Sequence, residues 1–313
     1  MSGLAFLFPG QGSQSVGMLA EASERYAIVR ETFAEASEAL GYDLWQLVSE
    51  GPEQQLTLTE FTQPAILTAS VALHRCWQVE HGASPEFVAG HSLGEYSALV
   101  VAEALELNDA VVLVQTRGRA MQSAVPAGEG AMAAVLGLSD AVIDEVCVTH
   151  CDDEAYVGAV NYNSPGQVVI AGHTAAVAAA SEFMKDAGAK RVLPLPVSAP
   201  FHTPLMQPAA AVMAEAFQSI SLSDAKIPVV SNVDAQPHRT AVEIRRLLVR
   251  QVSEPVMWTQ CMLTLLQSGC KTFVECGPGK VLTGLIKRID KQAVCTPLEN
   301  PDILSEAARS SQL

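Results

Sequence analysis

The clearest chemical signal in the sequence is a serine flanked by two glycines, in the pentapeptide Gly90-His91-Ser92-Leu93-Gly94. This G-x-S-x-G pattern follows a short apolar run and precedes a helical pattern, an order that predicts a nucleophile elbow. The serine would lie on a tight strand-to-helix turn, where a Cβ at either glycine would collide with neighbouring backbone. Ser92 is therefore the candidate nucleophile. The backbone N–H of Leu93, at a helix N-terminus, is the first candidate donor to an oxyanion.

A serine hydroxyl needs a neighbouring base, and the chain has seven histidines. His91 adjoins the serine, but an extended segment points it the opposite way. His202 stands out because it follows a predicted strand and precedes a predicted helix, in a proline-rich loop from Pro196 to Pro204. Such a loop holds a base at a fixed point, although the residues alone leave the choice of base open.

One cluster of metal-ligand residue types is present, formed by Cys147, His150 and Cys151. No second ligand pair with zinc-like spacing accompanies it, so we expect no metal site. The seven cysteines are an odd number without a framework spacing, which favours reduced thiols over disulfides.

The elements that would position these residues alternate between strands and long helices. A strand at residues 4–8 runs into a Gly-Gln-Gly-Ser-Gln loop, a buried helix is predicted at 63–82 with Pro64 near its start, and a short strand at 87–90 precedes Ser92. The later predicted elements are helix 204–219, strand 227–231, helices 240–251 and 258–268, strand 271–276, and a helix from about Lys280. This alternation predicts an α/β fold, a large hydrolase-like domain with a mostly parallel sheet.

Residues 130–198 show a different order of predicted strands and helices. Strands are predicted at 131–136, 156–161, 167–171 and 190–195, with one helix capped by Ser139 and a second capped by Thr174. The resulting β-α-β-β-α-β order is the ferredoxin-like arrangement. We therefore predict a small ferredoxin-like domain at 129–198, inserted into a large α/β catalytic domain formed by 1–128 and 199–313.

Charge and hydropathy limit the partners. The net charge of −15 argues against binding to nucleic acid or to anionic membrane surfaces. No window reaches the roughly 18 uncharged apolar residues that a membrane span needs. The first residues lack the basic segment of a signal peptide, so we expect a cytoplasmic protein.

Several motifs, taken together and in order, resemble the malonyl-CoA:acyl carrier protein transacylases and, more widely, the acyltransferase domains of polyketide synthases. The resemblance runs nearly end to end. The residues that carry it are Phe8 to Gln14, Thr62 to Ala65, Gly90 to Glu95, Arg117-Gly118, Asn161 to Gln167, Pro200 to His202, Ser231 to Val233 and Glu275 to Gly279.

The resemblance implies a role for each matching position. Ser92 would attack a malonyl thioester and His202 would take its proton. The backbone N–H of Gln11 would complete an oxyanion hole with that of Leu93. Arg117 would bind the malonyl carboxylate with its guanidinium fork, whereas the residue by itself would be read as a helix-surface arginine beside Arg119.

Four further positions follow from the same resemblance. The backbone carbonyl of Gln251 would orient the histidine in place of the acid of a triad. Gln63 and Asn163 would lie near the acyl pocket, with backbone capping as an equal alternative for both. Phe201 looks like the malonyl-type pattern, in which a bulky side chain excludes a 2-methyl branch.

The implied reaction is ping-pong transfer of malonyl from malonyl-CoA to the phosphopantetheine thiol of acyl carrier protein, supplying fatty acid synthesis. No cofactor is implied, since malonyl-CoA is a substrate, and the family favours a monomer.

The alternatives are a serine hydrolase or thioesterase, a discrete polyketide-synthase acyltransferase, and a non-catalytic carrier-docking subunit. A hydrolase would need an acid after a strand, and the candidates Asp109, Asp140 and Asp152 are not clearly at strand ends.

An acidic carrier would need a local basic patch, and the candidate segments are Lys185 to Arg191, Arg239 to Arg250 and Lys280 to Lys291.

Overall fold

The computed structural model describes residues 3–151 and 155–312. The strands in these residues are β1 Gly3–Phe8, β2 Phe87–Gly90, β3 Gly130–Leu136, β4 Val157–Ser164, β5 Gln167–His173, β6 Arg191–Pro194, β7 Val229–Val230, β8 Pro237–His238, β9 Cys270–Glu275 and β10 Val294–Pro297. The first seven helices are α1 Ala20–Arg25, α2 Ala27–Leu40, α3 Leu44–Glu50, α4 Glu53–Leu56, α5 Thr59–Val79, α6 Gly94–Val101 and α7 Leu107–Ser123. The remaining helices are α8 Asp140–Thr149, α9 Thr174–Asp186, α10 Gln207–Ala216, α11 Ala241–Gln251, α12 Trp258–Gln267, α13 Val281–Ile289 and α14 Pro301–Ser310.

The large sheet has the strand order β10-β9-β1-β2-β7-β8. All neighbours in it are parallel except β8, which pairs antiparallel with β7 at the edge. Side chains along β1 alternate between two cores: Phe6 and Phe8 pack under the helices of one face, and Ala5 and Leu7 pack on the other face with Trp258. Burial on both faces is the reason that β1 reads as a continuous apolar run.

The carboxyl ends of the central parallel strands position the chemistry-bearing loops. Phe8 at the end of β1 lies in register with Gly90 at the end of β2, and Ala89 of β2 pairs with Val230 of β7. Because parallel strands end at the same edge, the loops that follow them meet there. The Gly10-Gln11 loop, Ser92 and Asn232 are brought together in this way.

The second sheet has four antiparallel strands in the order β4-β5-β3-β6. With α8 and α9 it forms the β-α-β-β-α-β unit expected from the sequence, so the predicted fold class is confirmed. One face of this sheet packs against its own two helices. The other face contributes Met132, Val169 and Ala171 to the core that it shares with the large sheet. The domain bounds at 128/129 and 198/199 remain a prediction.

Three local predictions were wrong. The helix predicted at 63–82 is α5, which begins at Thr59 and leaves Pro64 inside the helix. Thr174 does not cap α9: the helix begins at Thr174, and its hydroxyl donates instead to the Gly128 carbonyl. The single helix predicted at 204–219 is a 3-10 turn at Pro204–Met206 followed by the shorter α10. Each error concerns where an element begins or ends, and for Thr174 the contact with Gly128 is the cause.

Two observations bear on partners and metals. Within residues 3–151 and 155–312, no helix is both long and apolar enough to cross a bilayer. The same residues contain no group of three or more His, Cys, Asp or Glu side chains arranged to hold a metal ion. In the segment considered for zinc, the His150 ring packs on Phe183 at 4.2 Å, and its Nδ1 contacts the Val146 carbonyl.

Candidate active site

Ser92 lies on a strained turn between β2 and α6, with a φ of 52°. The flanking glycines are sterically required. A Cβ at Gly90 would lie 1.8 Å from the Gly94 carbonyl carbon, and a Cβ at Gly94 would lie 2.1 Å from the Phe8 carbonyl oxygen. A left-handed backbone is costly for a residue with a side chain, so surrounding contacts must hold this turn in place.

Asn232 supplies those contacts, a role that the sequence analysis did not predict. Its Oδ1 accepts the Ser92 backbone N–H at 2.6 Å, and its Nδ2 donates to the Gly90 carbonyl at 2.7 Å. The side chain is fully buried, and it follows β7, the strand beside β2. The Ser231 to Val233 motif was visible in the sequence, but its function depends on this strand neighbour.

His202 and Ser92 lie together, as expected. Ser92 Oγ is 2.7 Å from His202 Nε2, and His202 Nδ1 is 2.7 Å from the backbone carbonyl of Gln251. A carbonyl only accepts, so Nδ1 carries the hydrogen and Nε2 of the neutral ring is left to accept a proton from Ser92. This is the arrangement of a general base. Like Ser92, His202 has a positive φ, of 62°.

Burial and charge keep this imidazole neutral. The pKa of His202 is lowered from 6.5 to about 3. Removal of the ring from water is the largest cause, and the positive charge of Arg117 is the second. The hydrogen bond to Gln251 opposes these effects. His202 is therefore unprotonated at neutral pH and ready to act as a base.

Arg117 is buried beside the nucleophile and not on the helix surface. Its side chain is 1% exposed, and its Nη2 donates to Ser92 Oγ at 3.1 Å and to Gln251 Oε1 at 2.9 Å. Its Nη1 donates to Gln63 Oε1 at 3.1 Å. Arg119, two residues further along the chain, is exposed and forms a salt bridge with Glu60. The interpretation as a helix-surface arginine therefore fits Arg119 and not Arg117.

The close packing of α7 on α5 gives Arg117 its reach. A Cβ at Gly118 would lie 2.7 Å from the Thr59 carbonyl oxygen, so only a glycine permits this approach. The approach brings Gln63 of α5 against the guanidinium. The side chain of Gln63 therefore accepts a hydrogen bond from Arg117, and it also lines the cavity at Ser92.

Arg117 has no salt-bridge partner among the residues that the structure describes. Its neighbours are amide oxygens, a hydroxyl and the Tyr96 ring at 5.5 Å. A buried guanidinium without a carboxylate is costly, and an incoming anion would relieve that cost. The site is therefore suited to a substrate that carries a carboxylate.

Two backbone amides are available for an oxyanion. Gln11 and Leu93 both line the cavity at Ser92. Within the described residues, neither backbone N–H donates to a backbone or side-chain oxygen. Gly10 permits the approach of the two loops, since a Cβ there would lie 2.5 Å from the His91 carbonyl oxygen.

The cavity at Ser92 has a volume of about 130 Å³ and lies between the two sheets. Its apolar wall is formed by Met121, Met132, Leu195, Val197 and Phe201. Phe201 is 9% exposed and precedes His202, as the resemblance implied. A cavity of this volume accommodates a small acyl group.

Asn163 lies beside the cavity: it does not line it, but it contacts His91, which does. Its Oδ1 lies 2.7 Å from His91 Nε2, and the His91 ring also packs on Trp258 at 5.3 Å. His91 is thus held away from the serine hydroxyl. The neighbouring Asn161 lines the cavity in its place, a role that the sequence analysis missed.

No carboxylate takes the place of a triad acid among the described residues, since His202 Nδ1 meets the Gln251 carbonyl. Asp109 and Asp140 lie in the first turns of α7 and α8. The third candidate, Asp152, lies outside the described residues. A different carboxyl, Glu95, is buried behind the site, and burial raises its pKa to about 7 against the opposing effect of hydrogen bonds from Gln251 and Asn232.

Comparisons with known proteins agree with this geometry. A sequence model of the family described as "Acyl transferase domain" matches residues 5–305. A Salmonella typhimurium protein named malonyl CoA-acyl carrier protein transacylase is 54% identical over 307 residues, covering 98% of this chain and 99% of the relative. The solved transacylase of that name from Coxiella burnetii is 48% identical with a TM-score of 0.97, covering 98% of this chain and 97% of its own. A type II polyketide synthase malonyl-transacylase, solved in complex with its acyl carrier protein, is also 48% identical with a TM-score of 0.97, covering 99% and 100%.

The elbow glycines yield a stability prediction. Gly90→Ala should lower the free energy of unfolding by about 1–3 kcal/mol, because its Cβ overlaps the α6 backbone and the turn has no room to relax. Gly284→Ala, in the exposed middle of α13, meets nothing within 4 Å and should raise it by about 0.5–1 kcal/mol through better helix propensity. Urea unfolding midpoints with unchanged m-values measure both. Equal effects of the two substitutions would contradict the steric account.

The lowered pKa of His202 yields a pH prediction. The base accepts a proton only when neutral, so labelling of Ser92 by an aryl sulfonyl fluoride should show no decline as pH falls through 6.5, and should decline only well below it. Arg117→Ala removes a charge that opposes protonation, so its acid limb should move upward toward 6.5. Arg119→Ala, at an exposed arginine, serves as the control and should match the unsubstituted protein. Acid limbs at the same pH in all three proteins would refute the assigned effect of Arg117.

Proposed function

The chain belongs to the acyl transferase family, and we propose that it moves the malonyl group of malonyl-CoA through an ester on Ser92 to the phosphopantetheine thiol of acyl carrier protein. It is a malonyltransferase, like the relatives that it matches over nearly its full length. The residue roles that follow are supported by the distances at the site.

One observation carries the choice of substrate. The buried Arg117 guanidinium lies 3.1 Å from the nucleophile and lacks a carboxylate partner among the described residues. A malonyl thioester held at Ser92 carries a free carboxylate that a guanidinium fork can bind bidentately. An acetyl group lacks that carboxylate and would leave the buried charge uncompensated.

The first half-reaction loads the enzyme. Ser92 Oγ attacks the thioester carbonyl carbon while His202 Nε2 takes the hydroxyl proton. The backbone N–H groups of Leu93 and Gln11 bind the oxyanion that forms. When the C–S bond breaks, the CoA sulfur takes the proton from His202 and leaves as a thiol, and the malonyl group remains as an ester on Ser92.

The second half-reaction runs the same steps in reverse order with another thiol. The carrier's phosphopantetheine thiol gives its proton to His202, and its sulfur attacks the ester carbonyl. When the C–O bond breaks, Ser92 Oγ recovers the proton from His202. Since CoA enters and leaves as substrate and product, this sequence needs no cofactor.

The hydrolase alternative is not favoured. The curated relatives are named transacylases, and His202 is oriented by a backbone carbonyl where a hydrolase triad has an acid. The cavity of about 130 Å³ also limits the room for productive water beside a bound acyl group. A thiol has the further advantage of higher intrinsic nucleophilicity.

Phe201 is our candidate for excluding branched acyl groups. It is buried in the cavity wall next to His202, where a 2-methyl branch would compete for its space. We therefore expect a higher kcat/KM for malonyl-CoA than for methylmalonyl-CoA. Equal values for the two thioesters would refute this role.

The candidate docking segment from Arg239 to Arg250 is largely engaged within the protein. Arg239 and Arg245 donate to backbone carbonyls of the loop that follows α10, and Arg250 pairs with Glu254. Lys185 and Arg288 of the other two basic segments also have partners, so all three segments remain candidates for the docking face. We further propose a cytoplasmic monomer that serves fatty acid synthesis. A dimer mass in light scattering would contradict the monomer.

Transfer and hydrolysis can be separated in one experiment. We expect malonyl-CoA alone to give a stable malonyl ester on Ser92, detected by mass spectrometry, and added carrier protein to discharge it as malonyl-carrier. Ser92→Ala should abolish both signals. Rapid release of free malonate without transfer would overturn the proposal in favour of a hydrolase. Carriers of fatty acid synthesis and of a polyketide system, compared at equal concentration, test the pathway.

Arg117→Ala should lower kcat/KM for malonyl-CoA by about 10²–10³-fold, because the substrate carboxylate would be desolvated without its charge partner. Activity toward acetyl-CoA should fall far less, since acetyl lacks the carboxylate. Arg119→Ala is the matched control. Arg119 lies two residues further along the same helix and is exposed, so this variant should retain activity. Unchanged malonyl transfer by Arg117→Ala would refute the clamp.

A further inference from the structure

Glu95 is a buried carboxyl that the reaction steps above do not use. It lies in the first turn of α6, three residues after the nucleophile, and is 3% exposed. It forms no salt bridge with any residue that the structure describes, and it contacts neither the Ser92 hydroxyl nor the His202 ring. Such a group is costly to bury unless its contacts offset the cost.

Its two strongest hydrogen bonds converge on one oxygen, and the Ser231 side chain and the Arg117 charge interact with it more weakly. Glu95 Oε2 accepts a hydrogen bond from Gln251 Nε2 at 2.8 Å and another from the Asn232 backbone N–H at 3.1 Å. These two donors come from the end of α11 and from the loop after β7. One carboxylate oxygen thus joins three separate elements of the large unit.

Gln251 is the support of the base. Its backbone carbonyl accepts from His202 Nδ1, and its side-chain Oε1 accepts from Arg117 Nη2. Its Nε2 donates to the Ser92 carbonyl at 2.9 Å as well as to Glu95. The direction of this side-chain amide therefore decides whether its oxygen faces Arg117.

Asn232 is the support of the nucleophile. Its side chain binds the Ser92 N–H and the Gly90 carbonyl, the two ends of the strained turn. Its backbone N–H is held by Glu95. A shift of Asn232 would be transmitted directly to the left-handed turn at Ser92.

We propose that Glu95 is a positioning residue, whose Oε2 fixes Gln251 and Asn232 together and thereby sets His202 and Ser92 at hydrogen-bond distance. The inference rests on the proposed function for its catalytic readout. An acceptor is required here because both donors are buried, and a buried donor without a partner costs about 1–3 kcal/mol. If the Glu95 acceptor is lost, the two donors can find new partners only when Gln251 or Asn232 moves.

A competing account treats Glu95 as the counter-charge of Arg117. The two accounts predict opposite orders for two conservative variants. Glu95→Gln keeps an acceptor oxygen at the same reach and removes the charge. Glu95→Asp keeps the charge and withdraws the acceptor by one methylene. Positioning requires an acceptor oxygen at the distance that the Glu95 side chain spans, whereas charge compensation requires the negative charge.

The test measures single-turnover acylation of Ser92 by malonyl-CoA, followed by intact-protein mass spectrometry, in folded protein. We expect Glu95→Gln to keep a rate near that of the unsubstituted protein, and both Glu95→Asp and Glu95→Met to lose about 10–100-fold, since small misplacements of reacting groups are costly. The order Asp fast and Gln slow would overturn the proposal, and so would full activity in all three. If Glu95→Met does not fold, the Gln and Asp pair still decides.

Two controls separate positioning from general destabilisation and from failure of the proposed function. Glu275→Met removes another buried carboxylate, which accepts from the Leu282 and Thr283 backbone N–H groups at the start of α13, away from Ser92. The Glu275 side chain forms no hydrogen bond with Ser92, His202, Gln251 or Asn232, so this variant should lower the melting temperature without slowing acylation per folded molecule. Labelling of Ser92 by an aryl sulfonyl fluoride should follow the same order among the Glu95 variants. If the unsubstituted protein is labelled but not acylated by malonyl-CoA, the proposed function fails while the positioning role is still tested.

Discussion

The acyl transfer that we propose depends on the 2.7 Å hydrogen bond between Ser92 Oγ and His202 Nε2, two residues 110 positions apart in the chain. Both residues adopt a positive φ, which costs a non-glycine residue of order 1–3 kcal/mol. Such strain persists only where neighbouring groups hold it. Here the Asn232 side chain holds one turn, and the carbonyl of Gln251 orients the ring that projects from the other.

The second constraint is a buried positive charge. Arg117 is held by neutral oxygens of Gln63 on α5, of Ser92 in the turn before α6 and of Gln251 on α11, and it forms no salt bridge within the described residues. The same charge has two consequences. It favours a carboxylate-bearing acyl group as the ligand, and it adds to the larger effect of burial in lowering the pKa of His202. The proposed substrate choice and the neutral state of the imidazole therefore share a contribution from Arg117.

The cavity lies where the two sheets meet, which explains the need for the small unit. The large sheet supplies the nucleophile and the oxyanion donors from the ends of β1 and β2. The small sheet supplies Met132 and Asn161, and the chain returning from it supplies Leu195, Val197 and His202. The large unit holds both Ser92 and His202, whereas the cavity beside them takes part of its wall from the small sheet.

The sequence by itself determined the features that depend on local sterics and periodicity. The elbow was predictable because the glycine at 90 is required by a clash with Gly94, four residues away, and the strand–helix alternation predicted the α/β class and the β-α-β-β-α-β unit. The glycine at 94 is required by the Phe8 carbonyl, a contact that exists only once β1 and β2 are paired. The sequence did not reveal that α5 begins at Thr59 or that Thr174 binds Gly128 instead of capping. By composition and spacing Arg117 was indistinguishable from Arg119, and only resemblance separated them. Tertiary structure decided the rest: the burial of Arg117 follows from helix packing at Gly118, and Asn232 and Gln251 meet Glu95 across 137 and 156 positions. No local pattern encodes such contacts, because they exist only once the strands and helices are in register.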